Sequence, residues 1–210
     1  MANVFITGKN GPIQLAEKKD IIAPNLLTGT ADFSGNNWKK AGDAITVSTS
    51  SKLDPSGNKT VNQDWSWGGF KQYTRLNKGD IVTFGAWICS DGSNNFLIDM
   101  YADGIAEIIK KTFNGNKVNA KSPLLQSFTQ KLPWSWITTT FLANETNDNF
   151  SFRVETNGAP NTYIGSYTLV KSDTCSFWRP AIKDLAMQSD VSKLQQEIDQ
   201  LKSKLGEKTS

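Results

Sequence analysis

The 210-residue sequence contains no histidine. That removes the usual general base, the usual zinc ligand, and any Ser-His-Asp or Cys-His catalytic arrangement. Cysteine is scarce as well. Cys89 and Cys175 form no metal-binding pattern, and their spacing fits either two reduced thiols or one bridge. No apolar run reaches membrane-spanning length, and Met1-Ala2-Asn3-Val4-Phe5 lacks the basic-then-apolar order of a signal peptide. The expectation is synthesis in a cytoplasm without an export signal. Charge excess is small: a net +3 implicates neither nucleic acid nor a membrane surface as partner. Tryptophan, by contrast, is plentiful at seven, and a surplus of that ring often serves stacking as well as core.

The chain is organised around Leu76 to Cys89. Asn77-Lys78-Gly79-Asp80 reads as a tight turn, with Gly79 supplying the positive φ. The run after it alternates. Val82, Phe84, Ala86 and Ile88 form an apolar face; Ile81, Thr83, Gly85, Trp87 and Cys89 form a mixed one. This pattern predicts a central strand whose apolar side packs on a second sheet and whose mixed side lies under a groove. Trp87 is then either covered core or groove lining.

Three segments are expected. Residues 1–24 hold a hairpin, Val4-Phe5-Ile6-Thr7 and Ile13-Gln14-Leu15 around a Gly8-Lys9-Asn10-Gly11 turn. A lone hairpin is marginal in water, so it is expected to dock on the main domain or on a partner protein. Residues 25–180 carry candidate strands at 44–49, 65–74, 81–89, 96–101, 105–113, 136–143, 150–156 and 163–170. Short strands between turn clusters predict a mainly β protein, a jelly-roll β-sandwich. Thr112 to Leu132 reads as a long loop with room for one more strand.

Residues 181–210 change period. Met187, Val191, Leu194, Ile198, Leu201 and Leu205 recur at alternating steps of three and four, as in a coiled-coil seam, with Ser189 or Asp190 as cap and Gly206 as stop. Glu197 and Lys202 sit where a parallel neighbour would pair them. A helix folded back on its own sandwich is the other reading, although the stripe is narrow for that.

These residues, in order, carry a resemblance. Asn25-Leu26-Leu27-Thr28-Gly29-Thr30, Trp38, Trp67-Gly68-Gly69-Phe70, Lys78 to Trp87, Trp136-Ile137-Thr138-Thr139-Thr140-Phe141 and Trp178-Arg179-Pro180 resemble the carbohydrate-binding jelly-roll modules of phage tail and baseplate proteins. Leu169-Val170-Lys171-Ser172-Asp173 departs from the Leu-Glu-x-Gly stretch that such modules often carry. The resemblance implies two antiparallel sheets with a sugar-binding concave face. It implies a virion protein, assembled in the host cytoplasm, that contacts host cell-surface saccharide and other tail or baseplate proteins, as a homo-oligomer. The heptad residues alone lean to a dimer and the family to a trimer. The resemblance also implies a structural calcium ion, for which Asp32 and Asp173 are candidate oxygen ligands; no other cofactor is expected.

Sugar binding needs flat aromatic faces and hydrogen-bonding polar groups. Strand parity nominates Trp65, Trp67, Tyr73, Asp99 and Tyr101, and Trp134 joins them from a loop end, all expected around one surface. Trp38 and Trp136 are assigned to structure, and Arg153 and Glu155 to a solvent-facing pair. The acids Asp99, Glu107, Glu145 and Glu155 read as scattered, with no two on one strand face, which argues against a glycoside hydrolase. A purely structural tail component is the remaining alternative.

Overall fold

The computed structural model describes residues 3–8, 11–17, 23–41, 46–64, 67–91, 97–104, 106–126, 131–157, 161–175 and 177–206. In chain order the strands are β1 (Asn3–Gly8), β2 (Gly11–Glu17), β3 (Lys39–Ala41), β4 (Thr46–Leu53), β5 (Lys59–Asp64), β6 (Gly69–Leu76), β7 (Ile81–Ser90), β8 (Leu97–Asp103), β9 (Ala106–Phe113), β10 (Asn116–Val118), β11 (Leu125–Gln126), β12 (Leu132–Ala143), β13 (Asn147–Asn157) and β14 (Thr162–Val170), followed by helix α1 (Ile182–Gly206). β1 and β2 form an antiparallel hairpin. The rest make a sandwich: a seven-stranded sheet in the order β10-β9-β12-β7-β14-β5-β4 and a five-stranded sheet in the order β11-β8-β13-β6-β3.

β7 lies between β12 and β14, at the centre of the larger sheet. Its entry turn is as the sequence requires: Gly79 has φ 88°, the Asn77 amide donates to Asp80 Oδ2 at 2.8 Å, and the Asp80 amide donates to the Asn77 carbonyl. Val82, Phe84, Ala86 and Ile88 are fully buried against the second sheet. Phe84 meets Phe152 of the facing sheet and the edge of Tyr167, and Phe33 and Trp38 extend this aromatic layer. Tyr167 also joins the sheets by a polar contact, since its hydroxyl accepts from the Val154 amide at 3.2 Å.

The mixed face of β7 does not lie under an open groove. Residues 172–175 and the 54–58 loop lie against it. Thr83 Oγ1 donates to the Ser172 carbonyl, Trp136 Nε1 to the Cys175 carbonyl and Trp87 Nε1 to Ser56 Oγ. Trp87 and Trp136 pack edge to face at 5.3 Å. Thr83, Trp87 and Trp136 thus find protein partners for their polar groups. Cys89 and Cys175 are both free thiols, and burial pushes Cys175 up to about 12.

Asn25 ties the start of the sandwich to its end. Its side-chain amide donates to the carbonyls of Tyr167 and Arg179, both at 2.9 Å, and its carbonyl accepts from the Leu169 amide. The strand expected over 65–74 corresponds to β6, which starts at Gly69, with residues 65 and 66 outside the described set; β5 was not among the expected strands. β10 and β11 both fall inside the stretch expected to be a loop.

Helix α1 begins at Ile182, earlier than the Ser189 or Asp190 cap expected from sequence. Asp184, in its first turn, accepts the Gly29 amide with both carboxylate oxygens at 3.0 Å, which fastens the helix start to the sandwich. Beyond that turn Leu194, Ile198 and Leu201 are exposed, so this stretch is not folded back on its own sandwich. The side chains of Met187, Val191 and Leu205 lie outside the described residues. Among the described residues no helix is long and apolar enough to cross a membrane.

Candidate functional site

Three neighbouring strands of the five-stranded sheet build one outward face. In β8, Ile98 and Met100 point into the core, which turns Asp99, Tyr101 and Asp103 outward. In β13, Phe150, Phe152 and Val154 are fully buried, and Ser151, Arg153 and Glu155 take the other side. In β6, Gln72 turns inward to Thr28, and Lys71 and Tyr73 turn outward. Register fixes the rows. Ser151 lies opposite both Tyr73 and Asp103, Arg153 opposite Tyr101, and Glu155 opposite Asp99.

Charge is dense at the centre of this face and almost wholly paired. Arg153 Nη1 lies 2.8 Å from Asp103 Oδ1, and Arg153 Nη2 lies 2.6 Å from Glu155 Oε1. Lys71 Nζ and Ser151 Oγ each donate to Asp103 Oδ2 at 2.7 Å. Lys111 Nζ reaches Asp99 at 2.7 and 2.9 Å and also donates to the Ser122 carbonyl. Burial alone would raise the Asp103 carboxyl, but the hydrogen bonds from Lys71, Arg153 and Ser151 outweigh it and hold the group at about 2.

Above these charges stand two tyrosines. Tyr73 is 52% exposed and Tyr101 48%. Lys71 Nζ lies over the Tyr73 ring, 5.2 Å from its centroid, and Arg153 Cζ lies over the Tyr101 ring at 4.5 Å. Each ring is therefore backed on one side by a cation. Trp67, 55% exposed, sits in the β5–β6 loop just before Gly69. Gln63 holds that loop: its side-chain amide donates to the Gly68 carbonyl and to Thr156 Oγ1 of β13, the latter at 3.2 Å. Gly69 is tight against the same strand, since a Cβ there would come within 2.5 Å of the Val154 carbonyl oxygen.

The structure thus gathers Tyr73, Asp99 and Tyr101 on one face, with Trp67 in the loop leading into β6. It separates Trp134 from them. Trp134 belongs to β12 of the opposite sheet, where Lys52 Nζ lies 5.9 Å from its ring and 4.0 Å from that of Tyr163. Trp65 lies outside the described residues. Arg153 and Glu155 are only 9% exposed each and form a buried pair rather than a solvated one. Of the acids read as scattered, Asp99 and Glu155 face each other across the ladder, while Glu107 and Glu145 lie elsewhere; Asp103, which that reading passed over, shares the outward side of β8 with Asp99. Lys71 and Asp103 were legible by parity, lying two residues from Tyr73 and Tyr101. Lys111 carried no such signal, because it sits at an inward position of β9, opposite Thr139.

Among the described residues no three of Cys, Asp and Glu come together to hold a metal ion. Asp32 accepts the Ser34 amide within its own loop, and the backbone carbonyl of Asp173 accepts from Lys110.

No family model matches the chain, and no curated protein matches it. Several solved structures resemble it. A xylan-binding domain of carbohydrate-binding-module family 22 is 15% identical, with a TM-score of 0.49 over 73% of this chain and 98% of that one. The CBM22-1 and GH10 modules of a Clostridium thermocellum endo-1,4-beta-D-xylanase, complexed with xylohexaose, are 11% identical, with a TM-score of 0.47 over 72% of this chain; the match spans 28% of theirs. The enzymatically active domain of tailspike protein 4 from bacteriophage CBA120 is 12% identical, with a TM-score of 0.44 over 70% of this chain and 21% of that one.

Proposed function

We propose that the outer face of the five-stranded sheet binds saccharide, and that the protein is a non-catalytic adhesion component of a phage tail or baseplate. The observation that carries the binding reading is the pair of half-exposed rings, Tyr73 and Tyr101, standing over a buried lattice of charged hydrogen-bonding groups. Rings stack on the apolar side of a pyranose, while polar groups beside them meet its hydroxyls. A preorganised platform of this kind loses little side-chain entropy when it binds. Trp67 extends it at the β5–β6 loop.

A hydrolytic role fits the same face poorly. Glycoside hydrolysis needs one carboxyl that keeps its proton as general acid. Here Lys71, Arg153 and Ser151 hold the Asp103 carboxyl well below the ordinary carboxylate value, and Asp99 and Glu155 are each already engaged by a cation.

The phage assignment rests on the sequence resemblance from Asn25 to Pro180, and with it come a virion location and tail-protein partners. In this reading the hairpin at residues 3–17 docks on another tail component. The exposed seam residues Leu194, Ile198 and Leu201 support self-association of α1. Three copies of the chain would join there, so that individually weak sites act together through effective concentration. A glycan array probed with the full chain tests the binding reading. Signal on host cell-wall saccharides supports it. A blank array, together with no binding to host cells, leaves the structural-stalk reading in its place.

A further inference from the structure

Resting on that saccharide reading for what the rings do, we infer that Asp103 is the positioning residue of the site. This one carboxylate sets both Tyr73 and Tyr101 through the cations lying over them, and it sets Tyr73 the more strictly.

Three strands meet at Asp103. It ends β8, Lys71 lies on β6, and Ser151 and Arg153 lie on β13 between the two. Its Oδ2 accepts from Lys71 Nζ and from Ser151 Oγ, both at 2.7 Å, and its Oδ1 lies 2.8 Å from Arg153 Nη1. A carboxylate has about four acceptor sites, so most of its capacity is taken up within the protein. The two cations it holds are the two that lie over the rings, Lys71 over Tyr73 and Arg153 over Tyr101. A ring half in solvent has few packing contacts to hold it, so the cation over it has a large share in fixing its direction. Asp103 thus governs both rings at one remove. A ring fixed beforehand loses less freedom when a ligand stacks on it.

The two cations depend on Asp103 unequally. Arg153 is held a second time, with Nη2 2.6 Å from Glu155 Oε1 and Nε donating to the same oxygen at 2.7 Å. Its planar fork keeps its direction on that carboxylate alone. Lys71 has a flexible stem, and Asp103 is its one carboxylate partner among the described residues. Released from Asp103, its strongly hydrated ammonium turns to water and leaves the Tyr73 ring. Asn at position 103 would keep the shape but present a single acceptor oxygen, too few to serve both cations.

The test reads the rings without ligand. The chain has four tyrosines, so ring-labelled tyrosine in the full-length protein gives an NMR spectrum with two built-in controls: Tyr163 on the other sheet and Tyr167 in the core. Asp103→Asn is expected to move the signals of Tyr73 and Tyr101, Tyr73 further, while Tyr163 and Tyr167 stay. Lys71→Met is expected to move Tyr73 and leave Tyr101. A Tyr73 signal unmoved in either variant would overturn the inference, and Lys71→Met decides it alone if Asp103→Asn does not fold. Calorimetry with host cell-wall polysaccharide supplies the second arm. Tyr73→Ala is expected to weaken binding about tenfold in the wild-type background and less than about threefold in the Asp103→Asn background. An equal loss in both backgrounds would overturn the inference while leaving saccharide binding intact. Absence of binding by wild type would overturn the saccharide reading, and the ring signals would still decide the role of Asp103.

Discussion

The guanidinium of Arg153 lies over the ring of Tyr101, with its central carbon 4.5 Å from the ring centroid. Arg153 is in turn held by Asp103 on one side and Glu155 on the other. One buried cation thus fixes an exposed ring to a framework of strands. Removing it leaves Glu155 without its cation and Asp103 with Lys71 and Ser151 alone. Breaking such a buried pair costs about 3–5 kcal/mol. Arg153→Met is expected to lower the urea midpoint accordingly, while Arg153→Lys, which keeps the charge but not the fork, loses less.

Tyr73 and Tyr101 are half exposed and close no cavity, so their removal acts on binding rather than on folding. Tyr73→Ala and Tyr101→Ala are each expected to weaken saccharide binding about tenfold, with melting temperatures close to wild type. Titration calorimetry and thermal melts on the same samples separate the two effects.

Trp134 and Trp136 differ by two positions and should behave oppositely. Trp136 is buried, and its ring NH donates to the Cys175 carbonyl. Trp136→Ala is expected to cost about 3–5 kcal/mol. Gly85→Ala should damage the same place, because a Cβ there would come within 2.6 Å of Trp136 Cζ2. Trp134→Ala, on the sheet opposite Tyr73 and Tyr101, is expected to leave saccharide affinity unchanged. Denaturant titration reads the first two variants and calorimetry the third.

Acid should weaken the fold through Asp103. Its folded value of about 2 lies below the ordinary 3.8, so it stabilises the folded chain above about pH 4 and loses that contribution as pH falls through about 2. Melting temperature is expected to fall over that window, and less steeply in Asp103→Asn, which has no proton to take up there.

The seam of α1 gives a separate expectation. If α1 self-associates as proposed, Leu194→Lys with Leu201→Lys should convert the oligomer to monomers in light scattering and leave the melting of the sandwich nearly unchanged, since both positions are solvent-exposed in the single chain.

Much of this was legible in the sequence, and the illegible parts share a cause. Alternation in β7 told which residues enter the core, and alternation in β8 and β6 told that Asp99, Tyr101 and Tyr73 point away from it. Parity within a strand cannot tell which sheet that strand joins. Trp134, read as a ring at a loop end, instead lies within β12, on the far side of the sandwich from the other rings. Nor does parity tell what lies across the ladder. Arg153 and Glu155 read as solvated charges, yet Asp103, Lys71 and the two tyrosines crowd over and around them. Lys111 occupies an inward position and still ends on Asp99, where the Ser122 carbonyl also accepts from it. The groove expected over Trp87 failed for a similar reason. The residues that occupy it, 172–175 and 54–58, are remote in sequence from β7 or separated from it by two strands.

The Tyr73–Tyr101 face is the proposed saccharide site. Its most direct test is binding of host cell-wall polysaccharide by wild type and by the Tyr73→Ala/Tyr101→Ala double variant, at matched melting temperature. The account predicts that wild type binds and the double variant does not. Equal binding by both proteins would contradict it.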